Sequence, residues 1–177
     1  VLMGGWSSER DISLISGKAV GDALKEVGFE PLILDLKSEE DADKRIKNID
    51  IAFIALHGKG GEDGFIQDLL KRRGIKFTGS DAQACRISIN KAETKKIWRD
   101  LSLPTPDFVE IKKVGSPNME MTPYVSGEND ITSLDKSFVV KPISHGSSLG
   151  VSIVKPGQGS LEEAMEEASS YENNIIT

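Results

Sequence analysis

Short apolar runs alternate with longer amphipathic or charged stretches along the first half of the chain. Val1–Met3, Pro31–Leu36 (PLILDL) and Ile51–Leu56 (IAFIAL) read as strands, with Lys76–Thr78 a shorter one. Between the first two, Ile12, Ile15, Ala19, Ala23 and Val27 recur at helical spacing, and Gly28 is placed to stop that helix. A short charged helix is predicted around Glu39–Lys47, and another over Gly64–Arg73. The Lys71-Arg72-Arg73 cluster of the latter complements the negative end of the helix dipole. Strands alternating with helices imply right-handed crossovers and a parallel sheet with covered faces. Such sheets take ligands beyond the carboxyl ends of their strands. Two loops hold that position, Gly4–Glu9 and His57–Asp63, and both combine glycine with polar residues.

The pattern changes in the second half. Asn90–Leu101 (NKAETKKIWRDL) predicts a helix with Asn90 as its cap, and Pro104 and Pro106 break the pattern after it. An extended run, DFVEI, comes next. Residues 113–136 are rich in Gly, Pro, Ser and Asp, show no period, and read as loop. Two β-branched runs then flank a Gly/Ser loop within Ser137–Val154, an acidic helix spans Leu161–Tyr171, and Ile175–Thr177 reads as strand. A boundary near residues 87–103 separates a parallel α/β layer from an α+β unit, giving domains over 1–90 and 91–177. Val1 is expected to be the continuation of a strand that starts earlier, and the final strand is expected to be cut short.

Composition narrows the class. A content of 38% hydrophobic and 28% charged residues is that of a soluble globular protein, and no apolar run approaches membrane-span length. The net charge of −6 argues against a general nucleic-acid surface. The lone Cys85 excludes an internal disulfide, fits a reducing cytoplasm, and reads as a small core residue.

Three segments carry candidate chemistry. In SFVVKPISHGSSLGVSIV, Pro142 removes a donor, Gly146 and Gly150 permit unusual backbone conformations, and Lys141 adds charge just upstream. The loop can turn several N–H groups inward as an anion nest on a hairpin; it reads equally as a plain Gly/Ser turn. It is not a Walker loop, because its lysine precedes the glycines. In MGGWSSERDIS, Ser7 or Ser8 can cap a helix, while Glu9 either favours the helix dipole or faces the sheet edge and holds a ligand cation. In HGKGGEDG, His57, Glu62 and Asp63 surround three glycines, more side-chain chemistry than a turn requires. No zinc-type spacing accompanies the two histidines, His57 and His145. Lys91 and Lys141 make sense together around a polyanion, each contact at ~4 Å contributing a few kcal/mol at intermediate dielectric.

Taken in order, GGWSSERDIS, LHGKGGEDGFIQ, SINKAETK and VVKPISHGSSLGV resemble the D-alanine–D-alanine ligase family of the ATP-grasp superfamily, along essentially the whole chain. The resemblance implies a Rossmann-like, parallel-sheet (pre-ATP-grasp) N-terminal domain over 1–90. It implies a partial α+β ATP-grasp subdomain over 91–177, whose hairpin closes over ATP. By the same resemblance Glu9 binds the ammonium of a first D-alanine, and His57 lies near that substrate's carboxylate. Ser147 links Glu9 to a mobile loop and orients the second substrate. Lys91 and Lys141 bind phosphate, Gly146, Ser147, Ser148 and Gly150 form the clamp, and Glu62 orients His57 or a lysine. His145 departs from the family's usual Glu, and Asp68 from a usually small residue.

The family also implies ATP and magnesium, a cytoplasmic homodimer and a role in peptidoglycan synthesis. The magnesium ligands and the second ATP-grasp subdomain are expected outside these residues, so the chain alone is expected to bind ATP weakly and form no dipeptide. The competing readings are another ATP-grasp carboxylate–amine ligase, including a D-alanine–D-lactate variant, and a non-catalytic nucleotide-binding module.

Overall fold

A computed structural model describes residues 1–113, 119–124 and 136–177. The chain divides into two compact units, Val1–Ile87 and Ser88–Thr177.

The first unit is a parallel α/β layer. Strand β1 (Leu2–Gly4) pairs in parallel with β2 (Leu34–Leu36), and β3 (Ile51–Ala52) with β4 (Lys76–Phe77). A parallel bridge between Leu2 and Ile54 joins the two pairs, giving the order β2-β1-β3-β4. Helices α1 (Arg10–Glu26), α2 (Glu39–Arg45) and α3 (Phe65–Arg72) make the crossovers, and α4 (Ala82–Ile89) ends the unit. Leu2, Leu36, Ile46, Ile66 and Leu70 fill the core with at most 1% of their surface exposed. Each such burial stabilises by about 1.5–3 kcal/mol.

Three sequence expectations change here. The strands are shorter than their apolar runs: Pro31–Ile33 precede β2, and of Ile51–Leu56 only two residues lie in β3. Helix α1 forms and stops before Gly28, but its apolar stripe is not the buried face. Ile12, Ile15 and Val27 are 47%, 68% and 70% exposed, while Ser13, Gly17 and Gly21 are buried. The helix lies so close to the sheet that a Cβ on Gly17 would stand 2.3 Å from the Met3 Cβ. Close approach selects small residues, and the branched side chains are left on the outer side. Cys85, expected in the core, is half-buried on α4 with its thiol directed at the Ser80 carbonyl. Burial, reinforced by the carboxylates of Asp81, Glu62 and Asp63, pushes that thiol's pKa up, which suits an inert cysteine.

The second unit is an antiparallel sheet with helices. Its strands are β5 (Phe108–Lys113), β6 (Met119–Tyr124), β7 (Phe138–Pro142), β8 (Ser152–Val154) and β9 (Asn174–Ile176), in the order β6-β5-β9-β7-β8. Helix α6 (Leu161–Tyr171) packs on this sheet, burying Ala164 and Ala168 against Val109, Ile111, Val140 and Ile175. Helix α5 (Lys91–Asp100) is capped as predicted, the Asn90 side chain accepting the Glu93 N–H at 3.0 Å. The segment read as loop over 113–136 contains a strand, β6, paired with β5 from Phe108↔Tyr124 to Lys113↔Met119. The rest of that reading lies outside the described residues. Pairing across a sheet supplied order that the local composition did not announce. The fold is thus α/β with parallel and antiparallel sheets.

Candidate functional site

In the first unit the two glycine-rich loops converge at the carboxyl ends of β1 and β3. Ser13, fully buried on α1, ties both strand ends together. Its hydroxyl accepts the Gly4 N–H at 2.9 Å and donates to the Ala55 carbonyl at 2.6 Å. Arg10 fixes the first loop from the other side, donating to the Gly5 and Leu36 carbonyls and forming a two-pronged pair with Asp35. Although burial opposes it, hydrogen bonds from Arg10 and Lys37 hold the Asp35 carboxyl below its ordinary range.

Ser7 does not cap the helix with its side chain. Its hydroxyl donates instead to the His57 carbonyl at 2.7 Å and accepts the Glu9 N–H at 3.1 Å, so one side chain holds the backbone of both candidate residues. Glu9 stands at the N-terminus of α1 and is only 6% exposed. Its carboxylate packs over Gly58, where a Cβ would meet Oε1 at 2.8 Å. Trp6 crosses from the first loop to the second, with its ring against Gly60 and edge-to-face on Phe65 at 5.6 Å. Glu9 and His57, 48 positions apart in sequence, are therefore parts of one site.

His57 has a polar neighbour at each ring nitrogen. Nε2 lies 3.0 Å from Ser16 Oγ on α1, and Nδ1 lies 3.4 Å from Glu62 Oε1. Asp63, the other acid of that loop, accepts the Gly60 and Phe65 N–H groups just ahead of α3, whose N-cap is Gly64. Asp68, one turn on, pairs with Arg86 of α4. A cavity of about 440 Å³ in this unit, lined by Leu2, Phe29, Leu32, Ile51 and Phe53, opens at the amino ends of the strands, away from these residues.

In the second unit the hairpin β7–β8 carries the clamp loop. Ser147 and Ser148 have φ of 51° and 61°, left-handed backbone that non-glycine residues adopt at a cost of about 1–2 kcal/mol each. A Gly146 carbonyl to Leu149 N–H bond closes the turn. Gly150 passes beside the Tyr171 ring, where a Cβ would stand 2.7 Å from Cδ2. The base of the loop is clasped by Glu172, which accepts from the Ser144 N–H at 2.8 Å and the Ser144 hydroxyl at 3.0 Å. The His145 Nδ1 lies 3.5 Å from the same carboxylate.

Lys91 opens α5, and its ammonium donates to the carbonyls of Ile143 (2.9 Å) and His145 (2.7 Å), the residues leading into the clamp. Lys141, on β7, pairs in register with Ile176. Lys95, one turn along α5 from Lys91, lies over the Phe108 ring and donates to Thr105. Burial pushes its ammonium pKa down, and the positive charges of Lys141 and Arg99 push it further. An anion bound near Lys95 would offset that repulsion.

The sequence suggested Ser7 only as a helix cap and gave no role to Ser13, Ser16 or Lys95. A serine in a helix-start motif gives no sign that its partner is a distant strand end. The small-residue periodicity Ser13, Gly17, Gly21 was the available signal for the buried face. Among the described residues no group of three or more His, Cys, Asp or Glu side chains is placed to hold a metal ion. Nor, among them, is any helix long and apolar enough to cross a membrane.

Comparison with known proteins gives a consistent result. Residues 33–80 match the family model described as D-ala D-ala ligase N-terminus, and residues 97–177 the one described as D-ala D-ala ligase C-terminus. A D-alanine–D-alanine ligase of Aquifex aeolicus is 44% identical over 169 residues, covering 95% of this chain and 53% of the relative. One of Alkalilimnicola ehrlichii is 39% identical over 176 residues, covering 99% and 52%. The crystal structure of the Bacillus anthracis D-alanine–D-alanine ligase complexed with ATP superimposes with a TM-score of 0.78 at 31% identity, covering 99% of this chain and 55% of that one. The chain spans about half the length of the curated relatives it matches.

Proposed function

The chain belongs to the D-alanine–D-alanine ligase family, and from that premise we propose that it serves the ATP-dependent joining of two D-alanines, in the cytoplasm, for peptidoglycan synthesis. The observation that carries this reading is the buried Glu9 carboxylate lying over Gly58 beside His57. Beyond the carboxyl ends of parallel strands is where such sheets take ligands, and a carboxylate there offers a charge-assisted contact to the ammonium of an amino acid.

In the proposed reaction a carboxylate oxygen of the first D-alanine attacks the γ-phosphorus of ATP, the bond to the bridging oxygen breaks, and ADP leaves. The amine of the second D-alanine then attacks the acyl-phosphate carbon, loses a proton, and expels inorganic phosphate. Glu9 holds the first ammonium, and His57, oriented by Glu62, faces its carboxylate. Lys141 neutralises phosphate charge, and Lys91 both bears on phosphate and braces the clamp through the Ile143 and His145 carbonyls. Gly146, Ser147, Ser148 and Gly150 shape the clamp, and Ser147 orients the second substrate. Phosphoryl transfer rests on positioning and charge neutralisation, which these groups supply. Excluding water keeps the acyl phosphate for the amine.

In this reading residues 1–90 are the ligase's N-terminal domain and 91–177 its first ATP-grasp subdomain. A homodimer belongs to the same proposal. The family implies magnesium as well, and among the described residues no group of three or more His, Cys, Asp or Glu side chains is placed to hold it.

The test is Glu9→Gln in the protein that carries this chain. The KM for the first D-alanine should rise roughly tenfold or more, the loss of one charge-assisted contact, with ATP affinity unchanged. Unaltered D-alanine kinetics would remove Glu9 from this role.

A further inference from the structure

Within the first unit, Ser13 and Ser16 sit one turn apart on α1 and do different things. Ser13 is consumed by main chain, bonding Gly4 N–H and the Ala55 carbonyl. Ser16, half-buried, reaches a side chain, the Nε2 of His57 at 3.0 Å. On the far side of the ring the Glu62 carboxylate lies 3.4 Å from Nδ1. An ionised carboxylate only accepts, so its charge beside Nδ1 favours the neutral ring with the hydrogen on Nδ1, which leaves Nε2 to present its lone pair. The Ser16 hydroxyl then donates to Nε2. Ser7 fixes the backbone of the same residue through the His57 carbonyl. The residue is thus fixed at its backbone from the first loop, while its ring is flanked by α1 and the second loop.

We infer that Ser16 is a positioning residue of this site, which fixes the tautomer and ring plane of His57 and through it the presentation of the histidine to the substrate carboxylate. Free imidazole favours the tautomer with hydrogen on Nε2, so a ring held with hydrogen on Nδ1 needs both a carboxylate at one nitrogen and a donor at the other. Glu62 supplies the first and Ser16 the second. The positioning itself follows from the geometry; its consequence for catalysis rests on the role proposed above for His57.

The experiment uses Ser16→Ala, which raises helix propensity at a helix-interior site and so leaves α1 intact. Histidine labelled with ¹⁵N in the 177-residue chain gives two imidazoles, and His145→Gln assigns them. The parent chain should show His57 with hydrogen on Nδ1, and Ser16→Ala should shift it toward a mixture of tautomers. Ser16→Thr, which keeps the donor, should restore the parent signature.

In the protein that carries this chain, Ser16→Ala should raise the KM for D-alanine about threefold to tenfold, the range for one neutral hydrogen bond, with the ATP requirement unchanged. An unchanged His57 tautomer in Ser16→Ala overturns the positioning while leaving the ligase reading standing. If His57→Ala leaves D-alanine kinetics unaltered, the proposed role of His57 falls, and the catalytic consequence of Ser16 falls with it.

Discussion

Replacing Ser13 by alanine tests whether the two loops of the first unit depend on one buried hydroxyl. Ser13 is fully buried, and its Oγ satisfies the Gly4 N–H and the Ala55 carbonyl at once. Alanine leaves both groups without that partner in a place closed to water. Each unsatisfied group costs about 1–3 kcal/mol. Alanine's better helix propensity returns about 0.5 kcal/mol. The expected loss is therefore about 1.5–5.5 kcal/mol, a large share of the stability of a unit this size.

Urea unfolding of the chain in a Trp98→Phe background makes Trp6 fluorescence report on the first unit alone, since Trp98 lies in the second. The midpoint should fall with the slope unchanged. A loss below about 0.5 kcal/mol would mean that the neighbouring backbone finds other partners easily, and the stapling argument would fail.

Other outcomes rest on the same packing. Gly17→Leu should destabilise the first unit by more than about 2 kcal/mol because its side chain meets Met3, whereas Ile15→Gln, at a 68% exposed position, should change stability by less than about 0.5 kcal/mol; urea midpoints decide both. The depressed Asp35 pKa gives a stability contribution fully present above its ordinary value of 3.8 and lost as pH falls through the lower folded value. Asp35→Asn should accordingly be less stable than the parent at about pH 7, with the gap closing below about pH 4. Glu172→Ala removes the clasp on Ser144 and should speed amide exchange over 144–150 without changing exchange in β1–β4; equal protection in both proteins would show that Glu172 does not hold the loop.

Much of this architecture could be read from residues alone, and the failures share a cause. The strand–helix alternation of the first unit, the Asn90 cap and the β7–β8 hairpin are local patterns, written in spacing and turn chemistry. The buried face of α1 was misjudged because hydrophobicity marks residues that prefer burial, not those that fit a narrow gap. Gly17 and Gly21 are invisible to that scale and decisive for the packing. Strand β6 was missed because its order comes from β5 across the sheet rather than from its own composition. The meeting of the Glu9 and His57 loops was legible from their position after apolar strands. Ser7 and Ser16 were not, because their partners are fixed only once α1 lies against the sheet.

The place of β9 bears on how the chain folds as it is synthesised. Asn174–Ile176 is the last of the described strands in sequence yet lies in the interior of its sheet, with β5 and β7 on its two sides. The β5–β6 and β7–β8 pairs can each form as soon as their residues leave the ribosome, but they have no shared edge until β9 arrives between them. The first unit, ending at Ile87, faces no such delay. Translation should therefore produce a folded N-terminal unit followed by two hairpins with unpaired edges, exposed to mispairing or chaperone capture until Ile176 emerges.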